Sequence, residues 1–171
     1  MITLTFGMKL AHVRTDRAAV IPYVIKDGKI YFLLAIDAGS GDFTDFGGGV
    51  KQYEQSLGAA LREFKEETGG VFGDLYDNPN LFSTNIALLN RYMCTMFVPL
   101  PEEWLEKTRA TFLEIHKLCP NAEVSDVMWL DEEEFRRLLS HRDKRLWYRL
   151  QKFYREGYSE HLRQALQLSY R

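Results

Sequence analysis

Three glutamates, Glu63, Glu66 and Glu67, are spaced so that one helix would carry their carboxylates on one side. A helix turns about 100° per residue, so positions i, i+3 and i+4 project within roughly a third of its circumference. Like charges this close repel one another, and a hard cation such as Mg²⁺ or Mn²⁺ relieves the repulsion. The spacing therefore indicates a divalent-metal site. The alternative is a solvated acidic face on which Arg62 and Lys65 pair with the same carboxylates.

The helix that would carry these glutamates is preceded by a glycine run and has an apolar stripe on its opposite side. The stripe has the period of a buried helix face and comprises Leu57, Ala60, Leu61 and Phe64. Three successive glycines at 47–49 allow the backbone to approach a phosphate or a metal. Gly69 and Gly70 are typical of a helix C-terminus. One face is predicted to pack and the other to be acidic.

The segment from Gly48 to Gly70 reads GGVKQYEQSLGAALREFKEETGG. It matches the pattern G-x5-E-x7-R-E-U-x-E-E-x-G-U, the Nudix box, in which U is a bulky apolar residue, so the chain resembles the Nudix hydrolase family. The matching positions are Gly48, Glu54, Arg62, Glu63, Phe64, Glu66, Glu67 and Gly69. Gly70 departs from the final U, with Val71 one step later. Phe46 and Lys51 stand where the family usually has a proline and an acidic residue.

The resemblance implies a fold and a chemistry. The fold is α/β, a Nudix-type α/β/α sandwich with a mixed β-sheet. The chemistry is metal-dependent hydrolysis, with Mg²⁺ or Mn²⁺ as cofactor, of a pyrophosphate bond in a nucleoside diphosphate linked to another moiety. The 5′ cap of messenger RNA is one such substrate. Dinucleoside polyphosphates, ADP-ribose, nucleoside triphosphates and diphosphoinositol polyphosphates are alternatives, and a non-catalytic nucleotide-binding module is a further one.

The resemblance also implies which residues would hold the metal. Glu63 and Glu67 would be the main ligands, and Glu66 would bind a second ion or hold a water. The Gly47 carbonyl is a possible further ligand.

Two groups of supporting residues follow from the same resemblance. Gly48, Glu54 and Arg62 would support the site structurally, the last two by forming an ion pair. The general base would be a box glutamate, Glu66 or Glu67, or else Glu123, which stands just before a predicted strand. The alternative for Glu123 is a surface residue that starts this strand.

Substrate recognition must use residues outside the box. Lys51 places a cation beside the site, Tyr53 could stack on a base, and Arg91 could face a phosphate. Three more aromatic residues in or beside predicted loops could stack in the same way, although aromatic residues more often belong to the core: Phe43, Phe82 and Tyr92.

Composition describes an ordinary globular chain of 171 residues, 46% hydrophobic and 27% charged. We expect one Nudix domain over 1–171. No signal peptide or membrane span is apparent, and Cys94 and Cys119 read as buried thiols, so a cytoplasmic protein is expected. The oligomeric state is left open.

The C-terminal segment at about 141–171 is basic, with eight Lys or Arg against three Asp or Glu, a net charge of +5. Its mixture of basic and aromatic residues is typical of RNA-binding surfaces. Helices whose leucines dock on the core while their cations face water would explain the same pattern.

The remaining pattern predicts the elements that position the site. Strands are expected at 18–25 and 29–37 around an Asp27-Gly28 turn, with Pro22 indicating an edge or bulge position. Further elements are a short strand at the glycines, one or two strands within 83–99, an extra helix at about 101–119, a strand at 123–130, a short helix capped by Asp131, and a helix or helix pair at 143–168.

Overall fold

The computed structural model describes residues 1–73, 75 and 85–170, and these form a mixed β-sheet with helices on both faces. The strands are β1 (Thr3–Phe6), β2 (Arg17–Lys26), β3 (Lys29–Asp37), β4 (Phe43–Thr44), β5 (Phe46–Gly49), β6 (Ile86–Leu89), β7 (Met93–Pro99) and β8 (Val124–Asp131). The helices are α1 (Ser56–Thr68), α2 (Trp104–Leu118), α3 (Glu132–Leu138), α4 (Tyr148–Gly157) and α5 (Glu160–Ser169), with a 3-10 turn at Gly7–Leu10. The predicted α/β/α sandwich is confirmed.

The two central strands, β2 and β3, pair over only part of their length. The strand that contains the three glycines, β5, pairs with the rest of β2. The strand order is β1-β6-β7-β2-β3-β4, with β8 on the far side of β3. Among the strands of the described residues, only β2 and β7 pair in parallel. The first half of β2 pairs with β5 and its second half with β3, while the end of β3 pairs with β4. The chain between β4 and β5 therefore passes from β3 to β2 at a single residue, Asp45.

Pro22 lies in a central strand, so the prediction of an edge position is wrong. On one side it is aligned with Val98 of the parallel strand β7. On the other side the partner of β2 changes from β5, whose pairing extends to Val20, to β3, whose pairing starts at Tyr23. A proline has no N–H to donate, and this change of partner leaves a position where none is needed.

Two apolar clusters lie on opposite faces of the sheet. The first packs α1 and α2 on the sheet and includes Phe46, Phe64 and Phe112. The second packs α3, α4 and α5 on the other face and includes Phe32, Phe135 and Phe153. Four leucines and one phenylalanine of the C-terminal segment are buried there, as the docking alternative expects: Leu146, Leu150, Phe153, Leu162 and Leu166.

The local signals for turns and helix ends are mostly confirmed. Asp27 and Gly28 both have positive φ, 51° and 75°, as a two-residue hairpin turn with a right-handed strand twist requires. Gly69 ends α1 in the left-handed conformation. Asp131 and Glu134 form a reciprocal capping box at the start of α3.

Three predicted placements need correction. The extra helix begins at Trp104 rather than at Pro101, because residues 101–103 form a turn before it. Arg91 lies in the turn between β6 and β7, not within a long strand. Cys94 is buried, but Cys119 is exposed where α2 ends. Among the described residues, no helix is both long and apolar enough to span a bilayer.

Candidate metal centre

Helix α1 turns Glu63 and Glu67 toward the sheet, not toward solvent. Only 9% of Glu63 and 5% of Glu67 are exposed, whereas the side chain of Glu66 is 59% exposed. The alternative of a solvated acidic face therefore fails for Glu63 and Glu67, and it describes only Glu66, which is exposed and lies 3.4 Å from Arg62. Helical spacing gives the angle between side chains but does not say which of them faces the sheet.

The glycines of β5 explain how charged side chains fit against a sheet. A Cβ placed on Gly48 would lie 2.4 Å from Oε1 of Glu63, so this carboxylate occupies the space that a side chain would fill. Gly47 faces the other way, where a Cβ would lie 2.4 Å from the Ala19 Cβ and 2.7 Å from the Ala18 carbonyl oxygen. Gly48 thus admits the carboxylate, and Gly47 admits the neighbouring strand.

Glu123 completes a cluster of three carboxylates from two separate elements. One oxygen each from Glu63, Glu67 and Glu123 lie within 4.8 Å of one another. Glu123 is exposed and precedes β8, so the cluster has one solvent-facing member and two members against the sheet. The structure thus brings together three of the predicted site residues, one of them about sixty positions away in sequence.

Glu67 is the most strongly perturbed member of this cluster. Its Oε2 atom is buried and has no hydrogen-bond partner among the residues that the structure describes. Burial, together with the nearby carboxylates of Asp45, Glu63 and Glu123, raises the pKa of Glu67 to about 9. A divalent cation would supply the missing partner and reverse this effect, because it stabilises the ionised form.

Arg62 joins the glycine strand, the following loop and the outer edge of the cluster. Its guanidinium donates to both carboxylate oxygens of Glu54, at 2.7 and 2.9 Å, and to the Gly49 carbonyl at 3.2 Å. Its Nη1 atom lies 3.0 Å from Glu63 and 3.4 Å from Glu66. The hydrogen bond from Arg62 and the backbone N–H of Lys51 lower the pKa of Glu54 to about 2. Glu66 therefore lies at the rim, outside the group of three.

Asn121, which the sequence patterns do not single out, holds the loop that carries Glu123. Its side-chain NH₂ donates to the carbonyls of Glu66 and Glu67, at 3.0 and 3.1 Å, where α1 ends. Its Oδ1 accepts from the backbone N–H groups of Glu123 and Val124, at 3.0 and 3.1 Å. A single amide thus connects both elements that supply carboxylates.

A second unpredicted feature is a buried ion pair beside Glu67. Asp45 is fully buried and accepts two hydrogen bonds from Arg17, at 2.6 and 3.0 Å, and one from the Tyr154 hydroxyl on α4. Tyr154 also shares a hydrogen bond of 2.8 Å with Thr95. Arg17 and Thr95 lie on separate strands, Asp45 lies between β4 and β5, and Tyr154 lies on α4, so no sequence spacing indicates this group.

The predicted substrate-binding residues are exposed but scattered. Lys51 is exposed and Tyr53 is 93% exposed, both in the loop before α1. Arg91 is exposed in the β6–β7 turn, with its guanidinium 5.5 Å from the centroid of the Tyr92 ring. Phe82 lies outside the described residues. Phe43 is partly buried and packs against the second apolar cluster.

Comparisons with known proteins show the family. The NUDIX domain family matches residues 14–151, most of the chain and all of the carboxylate cluster. The chain therefore belongs to the NUDIX domain family. A search of curated proteins found no match.

Several solved structures are similar to this one. A mutT/nudix family protein from Listeria innocua is 17% identical, with 88% of this chain and 95% of that chain covered and a TM-score of 0.49. The Ap4A hydrolase of C. elegans is 15% identical, with coverages of 85% and 96% and a TM-score of 0.46. The Bacillus subtilis pyrophosphohydrolase BsRppH is 18% identical, with coverages of 97% and 87% and a TM-score of 0.44.

Proposed function

We propose that this protein is a metal-dependent pyrophosphohydrolase that cleaves a nucleoside diphosphate linked to another moiety, with Mg²⁺ or Mn²⁺ at the carboxylate cluster. One observation carries the proposal: oxygens of Glu63, Glu67 and Glu123 converge within 4.8 Å, and one buried oxygen of Glu67 lacks any partner. Membership of the NUDIX domain family supports the same reaction class.

The residues present fit a hard divalent ion. All three side chains offer carboxylate oxygens, the donors that Mg²⁺ and Mn²⁺ prefer over nitrogen or sulfur. Carboxylates gathered against a sheet are unfavourable without a cation: burial, together with the carboxylates of Asp45, Glu63 and Glu123, raises the pKa of Glu67. The Gly47 carbonyl, in the glycine strand, is a further donor in this proposal.

The roles of the chain's own groups follow from their exposure. When bound, the divalent ion would neutralise the diphosphate and acidify the attacking water. The water oxygen attacks one phosphorus, the bridging O–P bond breaks, and the other phosphate leaves with the bond electrons. Glu123, which faces solvent at the cluster, accepts the proton of the water in this proposal. Glu66, at the rim beside Arg62, holds a second ion or the water.

The decisive experiment compares two conservative variants in a substrate panel. Glu67→Gln removes one negative charge from the cluster, and Glu114→Gln removes one from an exposed position on α2. We expect Glu67→Gln to lower kcat by about a hundredfold or more while nucleotide binding persists. Glu114→Gln should match the wild type. The panel contains capped RNA, ADP-ribose, dinucleoside polyphosphates, nucleoside triphosphates and diphosphoinositol polyphosphates, with products identified in Mg²⁺ and in Mn²⁺.

Nucleotide binding without hydrolysis of any panel member would instead favour the non-catalytic binding module. In that case Glu67→Gln would leave nucleotide binding unchanged, and neither the variant nor the wild type would hydrolyse a substrate.

Capped RNA is a second, more specific candidate substrate, and the exposed cations of the C-terminal segment favour it. Arg142, Lys144, Arg149 and Lys152 are exposed, and in the described part of the chain none of them has a carboxylate within ion-pair distance. The apolar side of the same segment is buried on the sheet, as in the docking interpretation. The two interpretations are compatible, because docking leaves these cations facing solvent.

Salt dependence tests this candidate. Contacts to RNA phosphates release counterions, so hydrolysis of capped RNA should weaken steeply as salt rises, whereas hydrolysis of a free nucleotide should not. The double variant Arg142→Ala, Lys144→Ala should flatten the dependence for RNA alone. Equal salt dependence for both substrates would exclude a role of this segment in RNA binding.

A further inference from the structure

A cavity of about 450 Å³ lies where the end of α3 meets α4 and the start of α5. Five of its lining residues carry a charge or a serine hydroxyl: Arg136, Ser140, Arg155, Ser159 and Glu160. Its volume is in the range of small-molecule sites. The three helices cover one face of the sheet and α1 packs on the other, so the cavity is separate from the carboxylate cluster.

Arg155 is the lining residue whose charge is not balanced. The side chain is only partly exposed, and its Nη1 atom is buried without a hydrogen-bond partner. Among the described residues, no carboxylate lies within ion-pair distance of this guanidinium. A charged donor that is withdrawn from water and left unpaired is costly. An anion in the adjoining cavity would supply the missing countercharge.

The two glutamates around the cavity are already engaged by a different arginine. Glu132 accepts from Nε of Arg163 at 3.0 Å, and Glu160 lies 3.7 Å from Nη1 of the same side chain. Arg136 comes only within 3.9 Å of Glu132, which is beyond hydrogen-bonding distance. With Arg155, three arginines therefore share two glutamates, and one positive charge is in excess.

Both serine hydroxyls keep a proton to donate. The Ser159 oxygen caps α5 by accepting from the backbone N–H of Leu162 at 3.2 Å. The Ser140 oxygen accepts from the backbone N–H of Arg142 at 3.4 Å. A hydroxyl that accepts retains its own O–H, and neither hydroxyl finds an acceptor in the described part of the chain. The unengaged polar groups of the cavity are therefore donors.

A phosphate group matches this set of donors. It offers three or more acceptor oxygens and carries up to two negative charges at neutral pH. Guanidinium and hydroxyl donors approach the cavity from three helices, which suits a tetrahedral group better than a planar carboxylate with two oxygens. The cavity also opens at the N-terminus of α5, where the helix dipole favours an anion.

We propose that this cavity binds a phosphate group, either as inorganic phosphate or on a small phosphorylated compound, at a site separate from the metal centre. The inference goes beyond the proposed function and does not rest on it. A phosphate held there is bound by arginine and serine side chains, without a metal ion and without hydrolysis.

Calorimetric titration with inorganic phosphate is the first test, on the full-length protein in EDTA at constant ionic strength. Without divalent ions the carboxylate cluster repels phosphate, so the heat reports the proposed site. Affinity should fall about tenfold or more in Arg155→Met and severalfold in Arg136→Met. Arg137→Met is the matched control and should bind as the wild type does, because Arg137 is exposed on α3 and does not line the cavity.

Thermal melts show whether the variants are folded. Without phosphate, Arg155→Met should melt at or above the wild-type temperature, because an unpaired charge has been removed. Added phosphate should raise the melting temperature of the wild type and not that of this variant. Equal phosphate affinity in the wild type, Arg155→Met and Arg136→Met would overturn the inference. An equal loss in Arg137→Met would also overturn it, because the response would then follow net charge.

Further ligands identify the source of the phosphate group. Tighter binding of glycerol 3-phosphate than of inorganic phosphate would assign the site to a phosphorylated compound, and the reverse order to the free ion. Acetate that binds as tightly as phosphate would overturn the assignment of a phosphate group. Binding of a short RNA without a terminal phosphate, with no binding of either phosphate compound, would overturn it in favour of a surface for phosphodiesters.

Discussion

Glu67 combines two properties that oppose each other: it is nearly inaccessible to water and it lies among other carboxylates. Because its pKa is raised to about 9, it carries a proton at neutral pH in the metal-free protein. A metal ion bound there would have to displace that proton. At this residue, metal binding and proton release would therefore be the same event.

The first prediction concerns the pH dependence of metal affinity. Between pH 7 and 9 the apparent affinity for Mn²⁺ should rise by about tenfold per pH unit, because one proton leaves Glu67 for each ion bound. Calorimetric titrations in buffers of different ionisation enthalpy measure that proton directly. In Glu67→Gln the released proton should disappear. Proton release that is unchanged in this variant would place the titrating group elsewhere.

The second prediction concerns the stability of the metal-free protein. Glu67 has a higher pKa in the folded chain than its ordinary value of 4.5, so folding favours its protonated form. Its contribution to stability is complete below about pH 4.5 and is lost as pH rises toward 9. Urea unfolding in EDTA should show Glu67→Gln gaining stability relative to the wild type across this range. A difference in unfolding free energy between Glu67→Gln and the wild type that does not change with pH would contradict the expectation.

Gly47 and Gly48, which face opposite ways in β5, provide the third prediction. Gly48→Ala would place a methyl group against a movable carboxylate, so it should displace Glu63 and weaken metal affinity with little loss of stability. Gly47→Ala would meet the Ala18 carbonyl and the Ala19 Cα, so the strand must move, at a cost of about 1–3 kcal/mol. Thermal melts and metal titrations of both variants provide the comparison. Equal losses of stability in both would show that Glu63 cannot move aside.

Some site residues could be predicted from sequence and others could not, for a physical reason. Glu63 and Glu67 follow from helical spacing, whereas Glu123 is a candidate only through the resemblance to the Nudix family. Asp45 could not be predicted, because its partners Arg17 and Tyr154 are brought to it only by the sheet and by α4. Local spacing carries no information about contacts that tertiary structure makes.

Between elements, Asn121 is the connection that fixes the geometry of the cluster. Its amide caps the last carbonyls of α1 and accepts from the backbone just before β8. Its backbone N–H also donates to Nδ1 of His116 at 3.1 Å, which ties the same loop to α2. Three elements therefore meet at one residue.

The fourth prediction tests this connection. Asn121→Ala removes four hydrogen bonds and should lower metal affinity about tenfold, because Glu123 loses its fixed distance from Glu67. Asp131→Ala removes the cap of α3. It should lower the free energy of unfolding by about 1 kcal/mol without changing metal affinity. Metal titration and urea unfolding of both variants distinguish positioning from general destabilisation. Loss of stability alone in Asn121→Ala would limit this residue to a structural role.

Most elements were predictable because each has a local signal: alternation in β8, the turn residues between β2 and β3, and the cap of α3. The orientation of α1 was not predictable in the same way. Two faces of this helix could have packed, and only the missing side chain of Gly48 makes room for Glu63 against β5. Such room is a property of the assembled sheet.

Across the whole molecule, the C-terminal helices do more than cover the second face of the sheet. Tyr154 extends from α4 to Asp45, whose negative charge is the second largest cause, after burial, of the raised pKa of Glu67. The packing of α4 and the electrostatics of the cluster are therefore connected through a single buried carboxylate.

The fifth prediction compares how much Arg17 and Tyr154, the two partners of the Asp45 carboxylate, contribute to stability. Arg17→Met would leave Asp45 buried without a counterion and should cost about 3–5 kcal/mol. Tyr154→Phe would remove one hydrogen bond to a charged group and should cost about 1.5–3 kcal/mol. Urea unfolding at pH 7 gives both values. A larger loss of unfolding free energy for Tyr154→Phe than for Arg17→Met would mean that the Tyr154 hydroxyl stabilises the ionised Asp45 more than the Arg17 guanidinium does.

The contrast between the two cysteines offers a practical route to observing the metal centre. Cys94 is enclosed in the first apolar cluster, where burial raises the pKa of its thiol to about 12, while Cys119 is open to solvent. A maleimide dye should therefore modify the unaltered protein at Cys119 alone. Because Cys119 lies two residues before Asn121, a dye attached there would lie beside the loop that carries Glu123, and a change in its emission when Mn²⁺ is added would report ion binding in real time and without mutagenesis.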